Sequence, residues 1–209
     1  MALSTYTELQ AAMADWLMRT DLTAAIPDFI ALAEEEHNTS LRVREMLVRA
    51  VTSPAADEPY ENLPGDFLEL KAIQFNSDPI HVPQYRTPAW LRAYRKHTAS
   101  TSGTPSFYSI EGSQLLFEKT PADVELEILY YQKIPALSVS NTTNWLLTSH
   151  PSVYLYGALL QSAPYLKDDD RVAIWDTLYQ RGLAKLQSAD QAAEVNGPPI
   201  AVVARRGMP

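Results

Sequence analysis

Cysteine is absent from the 209 residues, glycine is scarce at seven, and cations are outnumbered 17 to 25 by acids, for a net charge of −8. The missing thiols exclude disulfides, cysteine nucleophiles and cysteine-ligated zinc, and they suit a reducing cytosol or a particle assembled there. None of the seven glycines falls in a G-x-G-x-x-G or Walker pattern, so a nucleotide site has no support. The acidic balance argues against general nucleic-acid affinity, because surfaces that hold phosphate are usually basic. No stretch approaches the roughly 20 apolar residues of a membrane span, and MALSTYTELQ lacks the charged start and apolar run of a signal peptide. The expectation is a soluble protein without a membrane partner.

What is present is a well-supplied interior. Apolar residues make up 46% of the chain and aromatics 10%, enough to offset the entropy of ordering by burial. The apolar period divides the chain into three zones. Near the start, Thr5 and Glu8 form a capping box before Tyr6, Leu9, Met13, Trp16 and Leu17, which share one face of a helix over about 5–18. Pro27 opens a second helix ending near Asn38, with Phe29, Ile30, Leu32 and Ala33 as its apolar side and Glu34, Glu35 and Glu36 as its wet side.

Between about 42 and 135 the period alternates. Phe67, Glu69, Lys71, Ile73 and Phe75 share one strand face, and Leu68, Leu70 and Ala72 share the other, which is expected to pack. FYSIEGSQLLFE reads as a hairpin turning on Gly112 and Ser113. In DVELEILYYQK, Val124, Leu126, Ile128 and Tyr130 point inward while Glu125 and Glu127 point outward. A helix interrupts the strands where Thr87 and Pro88 open TPAWLRAYRKH. After residue 139 the helical period returns. Pro151 takes the first position of a helix capped by Thr148, Ser149 or His150, with Tyr154, Leu155, Ala158, Leu159 and Ser162 on one face. Asp168, Asp169 and Asp170 begin a last helix carrying Trp175, Leu178, Tyr179, Gly182 and Leu186, which runs to about Asn196 and stops at Gly197.

Candidate chemistry is thin. Ser149 and His150 followed by Asp168–Asp170 invite a hydrolase triad, but adjacent residues at a helix start point in different directions, and no G-x-S-x-G elbow accompanies them. Glu34–Glu36 read as a solvated face rather than an acid–base pair, Glu36 and His37 lack a second histidine at zincin spacing, and His81 and His97 stand alone. The sequence therefore points to no enzyme, no catalytic or metal-ligating residue and no cofactor. The alternative is a soluble hydrolase using His150 or Glu34–Glu36. A nucleic-acid module using the basic helix is disfavoured by the acidity.

Two stretches suggest contact surfaces. Arg86, Arg92, Arg95, Lys96 and His97 form the one basic concentration and surround a helix with exposed aromatics, which reads first as a solvated helix face and, more sharply, as a contact for a negatively charged neighbour, either a protein subunit or DNA phosphate. The closing GPPIAVVARRGMP cannot continue a helix through Pro198 and Pro199. Its Ile200, Val202 and Val203 are too few to form a core alone, so the tail is either frayed or, the favoured reading, laid on another chain as an added strand anchored by Arg205 and Arg206.

The stretches TYTELQAAMADWLMRTDLTAAIPDFIALAEEEHNTSLRVREM, LPGDFLELKAIQF, FYSIEGSQLLFEKTP, LEILYYQKIPALS and TNWLLTSHPSVYLYGALLQSAPYLKDDDRVAIWDTLYQRGL resemble the head-to-tail adaptor proteins of tailed bacteriophages, also called connectors or gatekeepers. The resemblance spans about residues 5–195 and rests on pattern and order, since no catalytic motif defines this family. It implies an α+β fold: a helical bundle formed by N- and C-terminal helices with an inserted antiparallel β domain. The corresponding division is 1–41 and 139–196 for the helices, 42–138 for the β domain and 197–209 for an extended tail. It also implies a dodecameric ring beneath the portal in the virion, assembled in the host cytoplasm, that extends the DNA channel and receives tail or nozzle proteins. Partners would be the portal, those tail components, further copies of itself and double-stranded DNA passing through without specific binding. On that picture Glu34, Glu35 and Glu36 are candidates to line the lumen.

Overall fold

The computed structural model describes residues 3–19, 21–55, 58–98, 102–121, 124–166 and 170–195, side chains 194 and 195 excepted. The last segment of the sequence, including Ile200, Val202, Val203, Arg205 and Arg206, lies outside them, as do Asp168 and Asp169. The fold is α+β. Its described residues form two compact units, one of residues up to Val43 and from Ile134 onward, the other of Arg44–Lys133.

The first unit is helical. Helix α1 spans Tyr6–Leu17 and opens with the expected capping box, in which Thr5 accepts from the Glu8 amide and Glu8 reaches back to the Thr5 amide. Two amides that the helix leaves unpaired are thereby satisfied. Met18 then turns left-handed and ends the helix. Helix α2, Ile26–Ser40, carries Pro27 in its first turn, where a missing amide costs nothing. Asn144 caps a short α4, Trp145–Ser149, which the sequence reading did not anticipate. Pro151 opens α5, Pro151–Gln161, with His150 as a cap that contributes no side-chain bond. A single turn, α6 (Ala163–Leu166), follows, and then α7, Val172–Val195, about 36 Å long at 1.5 Å per residue.

Helix α5 is the centre of this unit, packed against α1, α2, α4 and α7. Its Tyr154, Leu155, Ala158, Leu159 and Ser162 are all buried, as the period required. Glycine lets neighbouring helices come close: a Cβ on Gly182 of α7 would lie 3.0 Å from Cγ2 of Val153, and one on Gly157 of α5 would lie 3.1 Å from the Tyr179 ring of α7 and only 2.9 Å from the His37 ring of α2. Two expected core residues are corrected. Trp16 and Leu32 are exposed, because each sits at the margin of its helix's apolar stripe and not on its centre.

The second unit holds two sheets. One has the order β1–β7–β3, from Leu47–Thr52, Leu126–Gln132 and Phe67–Phe75, all antiparallel. Here the strict alternation expected for 67–75 fails. Register shifts fall between Phe67 and Glu69 and between Leu70 and Ala72, which marks bulges at Leu68 and Lys71. Each bulge flips the facing, so Phe67, Leu70, Ile73 and Phe75 all reach the core, opposite Gln132, Tyr130, Ile128 and Leu126. The other sheet has the order β2–β6–β5–β4, from Tyr60–Asn62, Gln114–Phe117, Phe107–Glu111 and Gln84–Tyr85. Gly112, at φ +61, makes the tight β5–β6 turn. This sheet corrects the antiparallel expectation, since β4 runs parallel to β5. Helix α3, Pro88–His97, is the crossover a parallel pair needs, and Thr87 caps it through the Trp90 amide.

Candidate functional site

Helix α3 has one buried residue, Leu91, and presents its remaining side chains around the edge of the mixed sheet. Arg92, Arg95 and Lys96 recur at the three- and four-residue spacing that places side chains on one helix face. They line, with Thr98 and Glu118, a small cleft of about 260 Å³. Arg92 is the committed member: its guanidinium makes a two-point contact with Glu111 of β5, at 3.0 and 2.5 Å. That bond holds the Glu111 carboxyl below its ordinary range. Arg95 and Lys96 form no ion pair among the described residues, so this corner carries positive charge beyond its own acids. Glu118 does not cancel it fully, because it is buried and accepts the Ser106 amide at 3.0 Å.

Arg86 sits on the other flank. Its guanidinium lies 5.4 Å from the Trp90 ring and 5.0 Å from Phe107, a cation–π arrangement. It also donates to Gln84 at 3.0 Å. Trp90 and Tyr94 stack at 5.0 Å, and both meet Phe107 edge-on. Tyr85, Trp90 and Tyr94 remain partly exposed, as do Ile80 and Val82 in the segment before β4. The structure thus brings Arg92, Arg95 and Lys96 together, with Arg86 on an adjoining aromatic surface. Such a pairing of aromatic area with arginine is enriched in protein interfaces.

The acidic candidates separate. Glu35 and Glu36 are exposed, but Glu34 is buried, which corrects its assignment to a wet or lumenal face. It lies beside Ile30, Ala33 and His37 on the inward stripe of α2, and its Oε1 accepts from the Leu137 amide at 2.8 Å and from the Tyr154 hydroxyl at 2.9 Å. The Tyr154 oxygen in turn accepts from Asn144 at 2.7 Å, and Asn144 also donates to the Pro135 carbonyl. One turn further, Asn38 accepts the Ile134 amide at 2.8 Å. Glu34 and Asn38 therefore tie the segment after Lys133 to α2. Burial pushes the Glu34 carboxyl up, opposed by the Leu137 and Tyr154 bonds, and burial pushes the Tyr154 hydroxyl up as well. His37, fully buried between Tyr154 and Tyr179, is pushed down to about 4 by burial.

The hydrolase candidates do not assemble either. His150 takes part through its backbone, its amide bonding Leu146 and its carbonyl receiving Val153, while the Glu34 oxygen is occupied by structural bonds. Among the described residues no group of three His, Cys, Asp or Glu could hold a metal ion, and no helix is long and apolar enough to cross a membrane. A cleft of about 660 Å³ between α1 and α5 is lined by Leu3, Ala12, Trp16, Leu155 and Tyr156 with a single carboxylate, Asp15. It is an apolar groove and not a convergence of polar groups.

The family model described as SU10 adaptor protein matches residues 4–202 of the chain. No curated protein matches it significantly.

Proposed function

The chain belongs to the SU10 adaptor protein family and is a structural head-to-tail adaptor of a tailed bacteriophage, and from that premise we propose that it works as a closed ring, dodecameric, beneath the portal. Portal and tail proteins are the partners such an adaptor joins, and the head–tail interface of the virion is its place. The helices from the two chain ends form a bundle that bears on portal and neighbours, with the β unit carried as an insertion. Ring closure needs head-to-tail contacts in which each copy offers two different surfaces.

The observation that carries this reading is the corner of α3, where Arg95 and Lys96 add uncommitted positive charge beside the Arg92–Glu111 pair in a chain of net charge −8. In a chain with more acids than bases, an exposed carboxylate of the next copy supplies the complement for that corner. Arg92 can exchange Glu111 for a neighbour's carboxylate at little net cost, since exposed ion pairs contribute little in the free chain. Exposed Glu35 and Glu36 face the lumen in this arrangement, where acids repel the phosphate backbone and let DNA slide during packaging and ejection. Assembly takes place in the host cytoplasm. Arg92→Glu with Arg95→Glu is expected to abolish ring formation on the portal as seen by negative-stain electron microscopy, with the far-ultraviolet circular dichroism unchanged. Rings of normal copy number from this variant would remove α3 from the interface.

A further inference from the structure

The groove between α1 and α5 has a floor of buried Ala12 and Leu155 and a mouth formed by exposed Trp16 against Tyr156, their rings edge-on at 5.7 Å. Arg171, whose guanidinium lies over the buried Trp175 ring, donates to the Trp16 backbone carbonyl at 2.8 Å and so holds the end of α1 at this corner. An aromatic wall over an apolar floor, open to water, has the character of a binding groove. Its volume of about 660 Å³ lies within the range of preformed sites and has room for several aliphatic side chains.

Resting on the ring reading, we propose that this groove receives the C-terminal segment of the neighbouring copy, with Ile200, Val202 and Val203 against Trp16, Leu155 and Tyr156 and with Arg205 or Arg206 meeting Asp15. The match is chemical on both sides. The segment after Gly197 contains apolar residues and two arginines but no acidic side chain, while the groove's one charged side chain is a carboxylate. Proline restricts its own backbone, so Pro198 and Pro199 lower the entropy that the segment loses on docking.

Helix geometry excludes the same copy as the source for Ile200. Tyr179 packs beside Gly157 and Gly182 beside Val153, so α7 runs antiparallel to α5 and passes its first turn at Gly182. From there α7 continues to Val195, about 20 Å further at 1.5 Å per residue. The groove is lined by Pro151, Ser152, Leu155 and Tyr156 of α5, the stretch that Gly182 passes. The five residues from Val195 to Ile200 reach about 17 Å at full extension, too short to bring Ile200 back. A donated segment satisfies both ends, since every copy then has one segment to give and one groove to fill. That is a heterologous contact, and repeated around a ring it closes.

The absence of native cysteine makes the test direct. Two full-length, differently tagged variants, Val202→Cys and Ser152→Cys, are mixed with the portal ring of the same virion, separated by size and oxidised. Ser152 is exposed at the groove, and Ala201→Cys serves if Val202→Cys fails to assemble. A disulfide joining the two tags in the assembled fraction, reduced at least several-fold by Trp16→Ala, is the expected result. Assembly without a mixed disulfide overturns the donated segment and leaves the adaptor reading standing. In a chain that carries both Val202→Cys and Ser152→Cys, a disulfide found only within single chains overturns donation in favour of the same copy. If neither variant assembles on an intact portal that accepts the unmodified protein, the segment is still bound to no groove and the proposal fails; if the unmodified protein also stays apart, the ring reading fails with it.

Discussion

In the helical unit the buried polar side chains Glu34 and Asn144 bond across elements, whereas the β unit's central cluster, from Leu63 to Tyr130, is apolar and its buried polar groups, Ser109 and Glu118, lie outside that cluster. The two designs have different consequences. Register in the β unit is set by which side chains face in, and two bulges are enough to bring Phe67, Leu70, Ile73 and Phe75 to one face. A helical unit assembled from distant parts of the chain has no ladder to set its register. Hydrogen bonds from Glu34 to Leu137 and from Asn38 to Ile134, across 103 and 96 residues, supply that alignment. A surface meant for partners is then free to carry charge where no internal bond depends on it.

Breaking the internal tie should show the largest effect. Glu34→Ala leaves the Tyr154 hydroxyl and the Leu137 amide without an acceptor and opens a small void, a loss of roughly 2–4 kcal/mol in urea unfolding. Glu34→Gln keeps an acceptor oxygen in place and should lose markedly less. Next is acid sensitivity. His37 holds its folded value of about 4 against an ordinary 6.5, so the unfolded chain takes up the proton first as pH falls. The neutral histidine's stability is complete above pH 6.5 and drains away down to about pH 4, by about 3 kcal/mol at the limit. Glu34, raised by burial, works with opposite sign: its contribution is complete at low pH and is lost as pH rises through its folded value. His37→Phe should flatten the fall between pH 6.5 and 4 in denaturation curves taken across that range.

Gly157→Ala is third. The added methyl would stand 2.9 Å from His37 and 3.1 Å from Tyr179, an overpacking cost of about 1–3 kcal/mol visible in the thermal midpoint. The smallest effect on stability belongs to the β unit's surface. Arg92→Glu with Arg95→Glu should leave the thermal midpoint unchanged within error while abolishing assembly. A large loss of stability from that pair would erase the contrast between the two units.

Much of this was legible in the sequence wherever the signal is local. The Thr5–Glu8 box, the Gly112–Ser113 turn, the Thr87–Pro88 helix start and the alternation of β7 depend on residues a few positions apart, and each stands where expected. Bulges in β3 and the parallel β4–β5 pairing were not legible, because both are properties of partner strands distant in sequence. Glu34 was misplaced since it looks like its two neighbours in composition. Its angular position gave it away: Ile30, Ala33 and His37 surround it on one stripe, and a buried histidine one turn on is a sign that the stripe extends inward there. The basic corner of α3 was found, but its internal partner Glu111 was not, for the two are brought together by a crossover and not by spacing.

Sedimentation velocity of the protein alone and mixed with the portal ring from the same virion tests the adaptor account most directly. The account predicts that a small species built from the 23.3 kDa chain leaves its own boundary and moves with the portal in ring-sized, near-stoichiometric complexes. A chain that stays in its own boundary beside an intact portal would contradict it.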